Sequence, residues 1–224
     1  MKITTLIPEL DNASGGKYNI LDYLYILFLI SLAFSKFIIF LKENDMRKKL
    51  IRFIAEVSIF TALGLVLDLV AGLISASIWK NGGSISLAMV PIIIMGYKYG
   101  LKGGLTTGLL IGTIQLLWSE YLITVPQVLL DYIVPNVVIG LVGIVAKPVQ
   151  KTKGDIQALI IIGSIVIVCA LRLASLVASG ILYWEAGFAY SITYNGTYTG
   201  ISMAICIAAV IVLMRALPKK YLTE

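Results

Sequence analysis

The chain contains no histidine. That removes the side chain most often used to move protons near neutral pH, and with it the commonest neutral metal ligand. Only two cysteines occur, Cys169 and Cys206, each inside an apolar run. With no partner ligands near them they are read as small buried hydrophobes, and no metal site is expected. No Ser, Lys or Asp arrangement resembles a nucleophile with its base. No glycine-rich phosphate loop is followed by a lysine. The chain is therefore not expected to be an enzyme or to hold a cofactor. Charge is scarce as well: 13% of 224 residues, against roughly 25% in soluble domains.

Hydrophobic residues make up 59% of the sequence, and mean hydropathy is +0.95. Several runs approach the roughly 20 residues that a helix needs to cross a bilayer. Strands are excluded, because open strands leave backbone groups unsatisfied in lipid and alternating ten-residue barrel segments are absent. The expected fold is an all-α polytopic membrane protein. Seven apolar stretches are legible: 20–41, 51–75, a short one at 85–97, 101–117, 125–146, 156–184 and 197–217.

The first 45 residues stand apart. Met46 opens MRKKLIRFIAEV, a natural beginning for a basic cytoplasmic N-terminus followed by a helix. Residues 20–41 are an extra transmembrane helix, a signal anchor or an upstream extension; they lack the features of a cleaved signal peptide. The expected division is an N-terminal extension at 1–45, with one candidate extra membrane helix, and a six-helix membrane domain at 46–224.

The net charge of +6 would suggest nucleic acid only if the basic residues formed one patch. Instead they mark every second connection. Lys42, Arg47, Lys48, Lys49 and Arg52 form the first set, and Lys98 with Lys102 the second. Lys147, Lys151 and Lys153 follow, then Arg215, Lys219 and Lys220. The intervening loops hold Lys80 alone. The positive-inside rule puts the basic set and the C-terminus in the cytoplasm, and the loops near Trp79, Tyr121 and Tyr190 outside. The chain reads as a multi-pass plasma-membrane protein whose surroundings are lipid, not nucleic acid.

On the outer side, polar and aromatic residues converge. Trp79 lies in IWKNGGSISL, Tyr121 in SEYLITVPQ, and Asp131 with Tyr132 in VPQVLLDYIVPN. Trp184, Tyr190 and Asn195 come from YWEAGFAYSITYNG, a stretch without Lys or Arg between two apolar helices. An aromatic belt at the headgroups accounts for some of these rings. It does not account for an acid inside an apolar helix, which costs at least about 2.5–3.5 kcal/mol. Aromatic faces hold flat heterocycles and attract cations, a carboxylate favours a positive ligand, and an amide both donates and accepts. The expected ligand is a planar, cationic heterocycle taken from outside. Deeper in the membrane, Asp68 and Arg172 pair, face a cavity or stabilise the bundle. Ser58, Ala62 and Gly64 give a small-residue face that packs internally or against a partner helix.

From residue 46 onward the chain resembles the thiamine-specific S components of energy-coupling factor (ECF) vitamin transporters. The resemblance is carried by FIAEVSIFTALGLVLDL, IWKNGGSISLAMVPI, YKYGLKGGLTTGLLIG, YLITVPQVLLDY and GILYWEAGFAYSITYNG. It implies a six-helix S-component bundle that binds thiamine from outside and docks on a membrane scaffold subunit served by two ATPases, so that ATP is used by partners. It also implies binding roles for Tyr121, Asp131, Tyr132, Trp184, Tyr190 and Asn195, looser correspondence at Trp79, and scaffold docking through Ser58 and Ala62. Asp131 stands where the family has Glu, and Leu176 where a ligand-facing His is expected. A thiamine precursor or another vitamin is the alternative ligand, and an ion-coupled carrier using Asp68, Arg172 and Asp131 the alternative mechanism.

Overall fold

The computed structural model describes residues 45–75, 78–79, 83–119, 122–216, 218 and 221. The candidate helix at 20–41 and Tyr121 lie outside the described residues. Contacts divide the chain into Met1–Arg52 and Phe53–Glu224, and the bundle belongs to the second unit. Six helical elements follow one another, and no strand occurs among the described residues. They are α1 (Asp45–Ser75), α2 (Met89–Tyr99), α3 (Leu101–Ile114, extended by a 3₁₀ turn over Gln115–Trp118), α4 (Val125–Lys151), α5 (Gly154–Tyr183) and α6 (Phe188–Ala216). Four of them, α1, α4, α5 and α6, are long and apolar enough to cross a membrane. The chain is a multi-pass membrane protein.

Helix α2 is the centre of the bundle: every residue from Met89 to Lys98 is buried. Its side chains Ile92, Ile93 and Tyr97 pack with Ile111 of α3, Ile139 and Val142 of α4, Ile161 and Ile165 of α5, and Val210 of α6. Cys169 and Cys206 are buried free thiols in this same core. An 11-residue helix rises only about 16 Å, about half the hydrocarbon thickness. Residues 83–87, which precede it, are not helical. Hydropathy alone expects a helix from residue 85. The observed start is Met89, because side chains satisfy the backbone before it: Ile85 N–H donates to Ser75 Oγ (3.3 Å) and Ser86 N–H to Ser202 Oγ (3.0 Å). Irregular backbone at membrane depth is tolerated where protein groups satisfy it in this way.

At the other end of α2, Lys98 Nζ is fully enclosed, 2.6 Å from Glu56 Oε2 of α1 and 3.4 Å above the Tyr221 ring. Gln150 of α4 donates to the Tyr97 and Lys98 carbonyls, closing the helix end that the chain leaves at Gly100 (φ 67°). Gly100 is needed there because the left-handed turn excludes most side chains.

Helix α3 meets α4 backbone to backbone. Gly104, Gly108 and Gly112 recur every fourth residue and face Gly140, Asn136 and Tyr132. Apolar side chains gain nothing by leaving lipid for one another, so close van der Waals approach is what holds such helices. A Cβ added at Gly108 would lie 2.9 Å from the Asn136 carbonyl carbon, whereas one added at Gly163 meets nothing within 4 Å.

Helix α6 is longer than hydropathy suggests. It begins at Phe188 rather than near residue 197, so only 184–187 of YWEAGFAYSITYNG is non-helical. The Glu185 backbone is left-handed (φ 50°), and Ala186 N–H reaches back to the Gly180 carbonyl at 3.0 Å. Tyr190, Tyr194 and Tyr198 then recur at helical spacing. Of the small-residue triplet on α1, Ser58 and Ala62 are exposed, while Gly64 is buried against Ile111 and Pro91. Gly64 belongs to internal packing and not to the outer face.

Gly108→Ala is expected to destabilise the detergent-solubilised protein by about 1–3 kcal/mol through overpacking. Gly163→Ala should be neutral or stabilising by up to about 1 kcal/mol. Chemical unfolding of the two variants measures both, and equal effects would refute the backbone-contact reading.

Candidate functional site

The feature that builds the site is a break in α4. Thr124 caps its start, the Thr124 Oγ1 accepting from Gln127 N–H, with Pro126 in the first turn. Residues Leu129–Ile133 then form a π turn, and Pro135 follows it. Proline has no N–H for the carbonyl four residues back, here that of Asp131, and its ring crowds that carbonyl. The widened turn carries Asp131 and Tyr132. Such one-turn π segments are frequent at functional sites.

The π turn opens onto a cavity of about 530 Å³, within the ~300–1,000 Å³ common for small-molecule pockets. Its wall is drawn from Asp68 of α1, the non-helical segment before α2 (Gly83, Ser84, Ser86), the 3₁₀ turn after α3, the π turn and Asn136 of α4, the C-terminal part of α5 and the N-terminal part of α6. The chain thus gathers at one end of the bundle the connections that hydropathy separates along the sequence.

Asp131 is half-buried, and its Oδ2 accepts from Gln127 Nε2 (2.5 Å) and from the Trp184 indole N–H (3.2 Å). Gln127 is wholly buried, and its Oε1 accepts from Ile123 N–H (3.1 Å). The carboxylate is thereby oriented by two donors before any ligand arrives. Tyr132 and Ser119, both on the cavity wall, share a hydrogen bond between their hydroxyls. On α6, Tyr190 stacks on Tyr194 (centroids 5.8 Å, 13°), and Tyr194 meets Tyr198 edge-on (5.9 Å, 80°). The Tyr194 hydroxyl accepts from Gly83 N–H (3.1 Å), so the tyrosine ladder also holds the segment before α2. A Cβ at Gly83 would lie 2.9 Å from the Tyr198 ring.

The structure brings Asp131, Tyr132, Trp184, Tyr190 and Asn195 together on the cavity wall. Trp79 is not part of the lining. Its indole donates to Thr197 Oγ1 (3.2 Å) and its ring stands edge-on to Tyr198 (6.2 Å), so it braces the wall from behind. Asn195 lines the cavity with its amide engaged internally: Nδ2 donates to Ser191 O (2.9 Å) and Ser191 Oγ (3.2 Å), and Oδ1 accepts from the Tyr198 hydroxyl. Asp68, Arg172 and Leu176 also face this cavity. Of the readings left open for the two charged residues, the structure favours lining a cavity.

Residues 54–222 match the model of the thiamine transporter protein family (Thia_YuaJ). The thiamine transporter ThiT of Bacillus subtilis (strain 168) is 37% identical over 186 residues, spanning 77% of this chain and 94% of that protein. The chain belongs to the Thia_YuaJ family. It is a membrane transport protein and not an enzyme. A solved structure of ThiT from Listeria monocytogenes has the same fold, with a TM-score of 0.67 at 23% identity over 78% of this chain and 98% of that one.

In this Thia_YuaJ protein several lining residues were not singled out in the sequence. Gln115, Asn136, Ser86, Tyr194 and Tyr198 all face the cavity, and Gln127 stands behind it. For the amides one signal exists: uncharged amides inside apolar helices cost free energy unless hydrogen-bonded, so Gln115, Gln127 and Asn136 mark polar structure inside the bundle.

Replacing Gln127 by Leu leaves Ile123 N–H without its acceptor and Asp131 short of a donor. The expected loss of stability is about 1–3 kcal/mol, read from unfolding in detergent. An unchanged transition would remove Gln127 from its holding role.

Proposed function

We propose that this chain is the substrate-binding S component of an ECF importer, with thiamine as its ligand. The observation that carries the reading is the charge balance of the cavity. Two carboxylates, Asp68 and Asp131, and one guanidinium, Arg172, face it. The surplus of one negative charge suits a monocation in a low-dielectric site. Thiamine is a planar-ringed monocation of that kind. Trp184 and Tyr190 supply ring faces. An ionised carboxylate has about four acceptor positions, so Asp131 keeps capacity for a ligand N–H beside its bonds to Gln127 and Trp184. The B. subtilis relative, by its name a thiamine transporter, supports the same ligand.

The cavity lies at the end of the bundle opposite Lys102, Lys147, Lys151, Lys153 and Arg215. By the positive-inside rule this favours extracellular binding, a cytoplasmic C-terminus and a bacterial plasma membrane as the location. Residues 46–224 would then be the binding domain and 1–45 an extension. Nothing in the sequence has the features of an ATP-hydrolysing site, so uptake would draw on a scaffold subunit and two ATPases, with Ser58 and Ala62 as the docking face on α1.

Titration of the purified protein with thiamine should quench tryptophan fluorescence at submicromolar ligand. A silent thiamine titration with quenching by a pyrimidine precursor would transfer the assignment to a related heterocycle. Asp131→Asn is expected to weaken thiamine by about 2 kcal/mol or more, as for a charged partner, and a neutral isostere much less. Equal losses would remove Asp131 from its charge role. In cells, Ser58→Trp or Ala62→Trp should abolish uptake and leave thiamine binding intact; surviving uptake would exclude that face as the docking surface.

A further inference from the structure

A π turn leaves carbonyls out of the regular helical ladder, and in this protein two side chains bond to carbonyls of the turn. Ser175 Oγ of α5 donates to the Leu130 carbonyl (2.8 Å), and Asn136 Nδ2 donates to the Tyr132 carbonyl (2.7 Å). Asn136 is buried, and it is itself held. Its Nδ2 also donates to Gln115 Oε1 (2.8 Å), and its Oδ1 faces Arg172 at 3.5 Å, the longest link. Gln115 Nε2 in turn donates to Asp68 Oδ2 (2.6 Å), while Asp68 Oδ1 accepts from Ser86 Oγ (2.8 Å).

These links run in one direction. A carboxylate only accepts and a guanidinium only donates. With Asp68 at one end and Arg172 at the other, both intervening amides have a single orientation: NH₂ toward Asp68, C=O toward Arg172. Four helices contribute one member each, α1 through Asp68, α3 through Gln115, α4 through Asn136 and α5 through Arg172. Asn136 Nδ2 also branches from this chain to the Tyr132 carbonyl, inside the turn that carries Asp131.

We infer that Asp68, Gln115, Asn136 and Arg172 form a directional hydrogen-bond chain that sets the shape of the π turn and so positions Asp131 and Tyr132. They act as positioning residues, independently of any contact with the ligand. The consequence for affinity rests on the thiamine reading above, whereas the shape of the turn does not.

The test reverses one link without changing size. Gln115→Glu puts two carboxylates face to face at the 2.6 Å contact. Asp68→Asn combined with Gln115→Glu restores a donor and an acceptor there with the polarity inverted. The amide introduced at position 68 then donates to the carboxylate introduced at position 115, whose other oxygen still accepts from Asn136. In the full chain in detergent, thiamine affinity should fall about tenfold or more in the single variant, as for a broken buried hydrogen bond, and return to within about threefold in the double. The second readout needs no ligand. In protein labelled with 5-fluorotryptophan, the ¹⁹F resonance of Trp184, assigned with Trp184→Phe, reports the indole bonded to Asp131. It should move in Gln115→Glu and return in the double variant. A single variant that does not fold beside a double that does is the same rescue. A single variant indistinguishable from the parent, or a double no better than the single, overturns the inference. A parent chain that ignores thiamine removes the ligand reading and leaves the ¹⁹F comparison to decide the chain of bonds.

Discussion

Everything in this bundle follows from one constraint: a backbone N–H or C=O at membrane depth must find its partner inside the protein. Regular helices satisfy that rule by themselves, and over most of their lengths α1, α5 and α6 need nothing more. The site lies where regularity fails. Residues 83–87 are not helical, and Gly83, Ile85 and Ser86 hand their N–H groups to Tyr194, Ser75 and Ser202. Leu129–Ile133 widens, and Ser175 and Asn136 take up two of its carbonyls. Two of the side chains recruited to hold this backbone, Tyr194 and Asn136, also line the cavity, so the pocket and the repair share residues.

The same constraint shapes the electrostatics. Charged groups inside a membrane protein are costly unless paired or hydrogen-bonded. Arg172 and Asp68 are held at opposite ends of a chain of amides, which leaves Asp131 as the acid whose charge is not offset within the cavity. Gln127 and Trp184 orient it without neutralising it. A site with its donors already placed spends little on reorganisation when a cation enters. At the other end of α2, Lys98 and Glu56 neutralise each other against Tyr221, and that pair closes the bundle without adding net charge.

How much of this was legible in the sequence depends on whether a feature leaves a periodic or compositional trace. The six helices from residue 46 onward did, through their apolar runs. The start of α6 did not, because Tyr190, Asn195 and their neighbours lower the hydropathy of a segment that is nonetheless helical, and only the four-residue recurrence of tyrosines marks it. The π turn is a one-residue widening with no sequence period; Pro135 was its sole hint. Asp131 and Trp184 stood out by charge and aromaticity in an apolar setting. Asn136 and Gln115 did not, since an uncharged amide attracts notice only when its burial is known. Trp79 was grouped with the ligand-facing rings by its loop position, whereas its indole is committed to Thr197. Gly104, Gly108 and Gly112 drew no notice in the sequence, and they admit the α4 backbone at Gly140, at Asn136 and, for Gly112, at the π turn.

In the proposed function a monocationic heterocycle occupies the cavity between the π turn and the first turns of α6. An experimental structure of the protein crystallised with thiamine addresses it most directly. The account predicts one ligand in that cavity, with an N–H within hydrogen-bond distance of Asp131 and a ring against Trp184 or Tyr190. Thiamine bound elsewhere, or in the cavity with its cationic ring turned away from Asp131 toward Arg172, would contradict it.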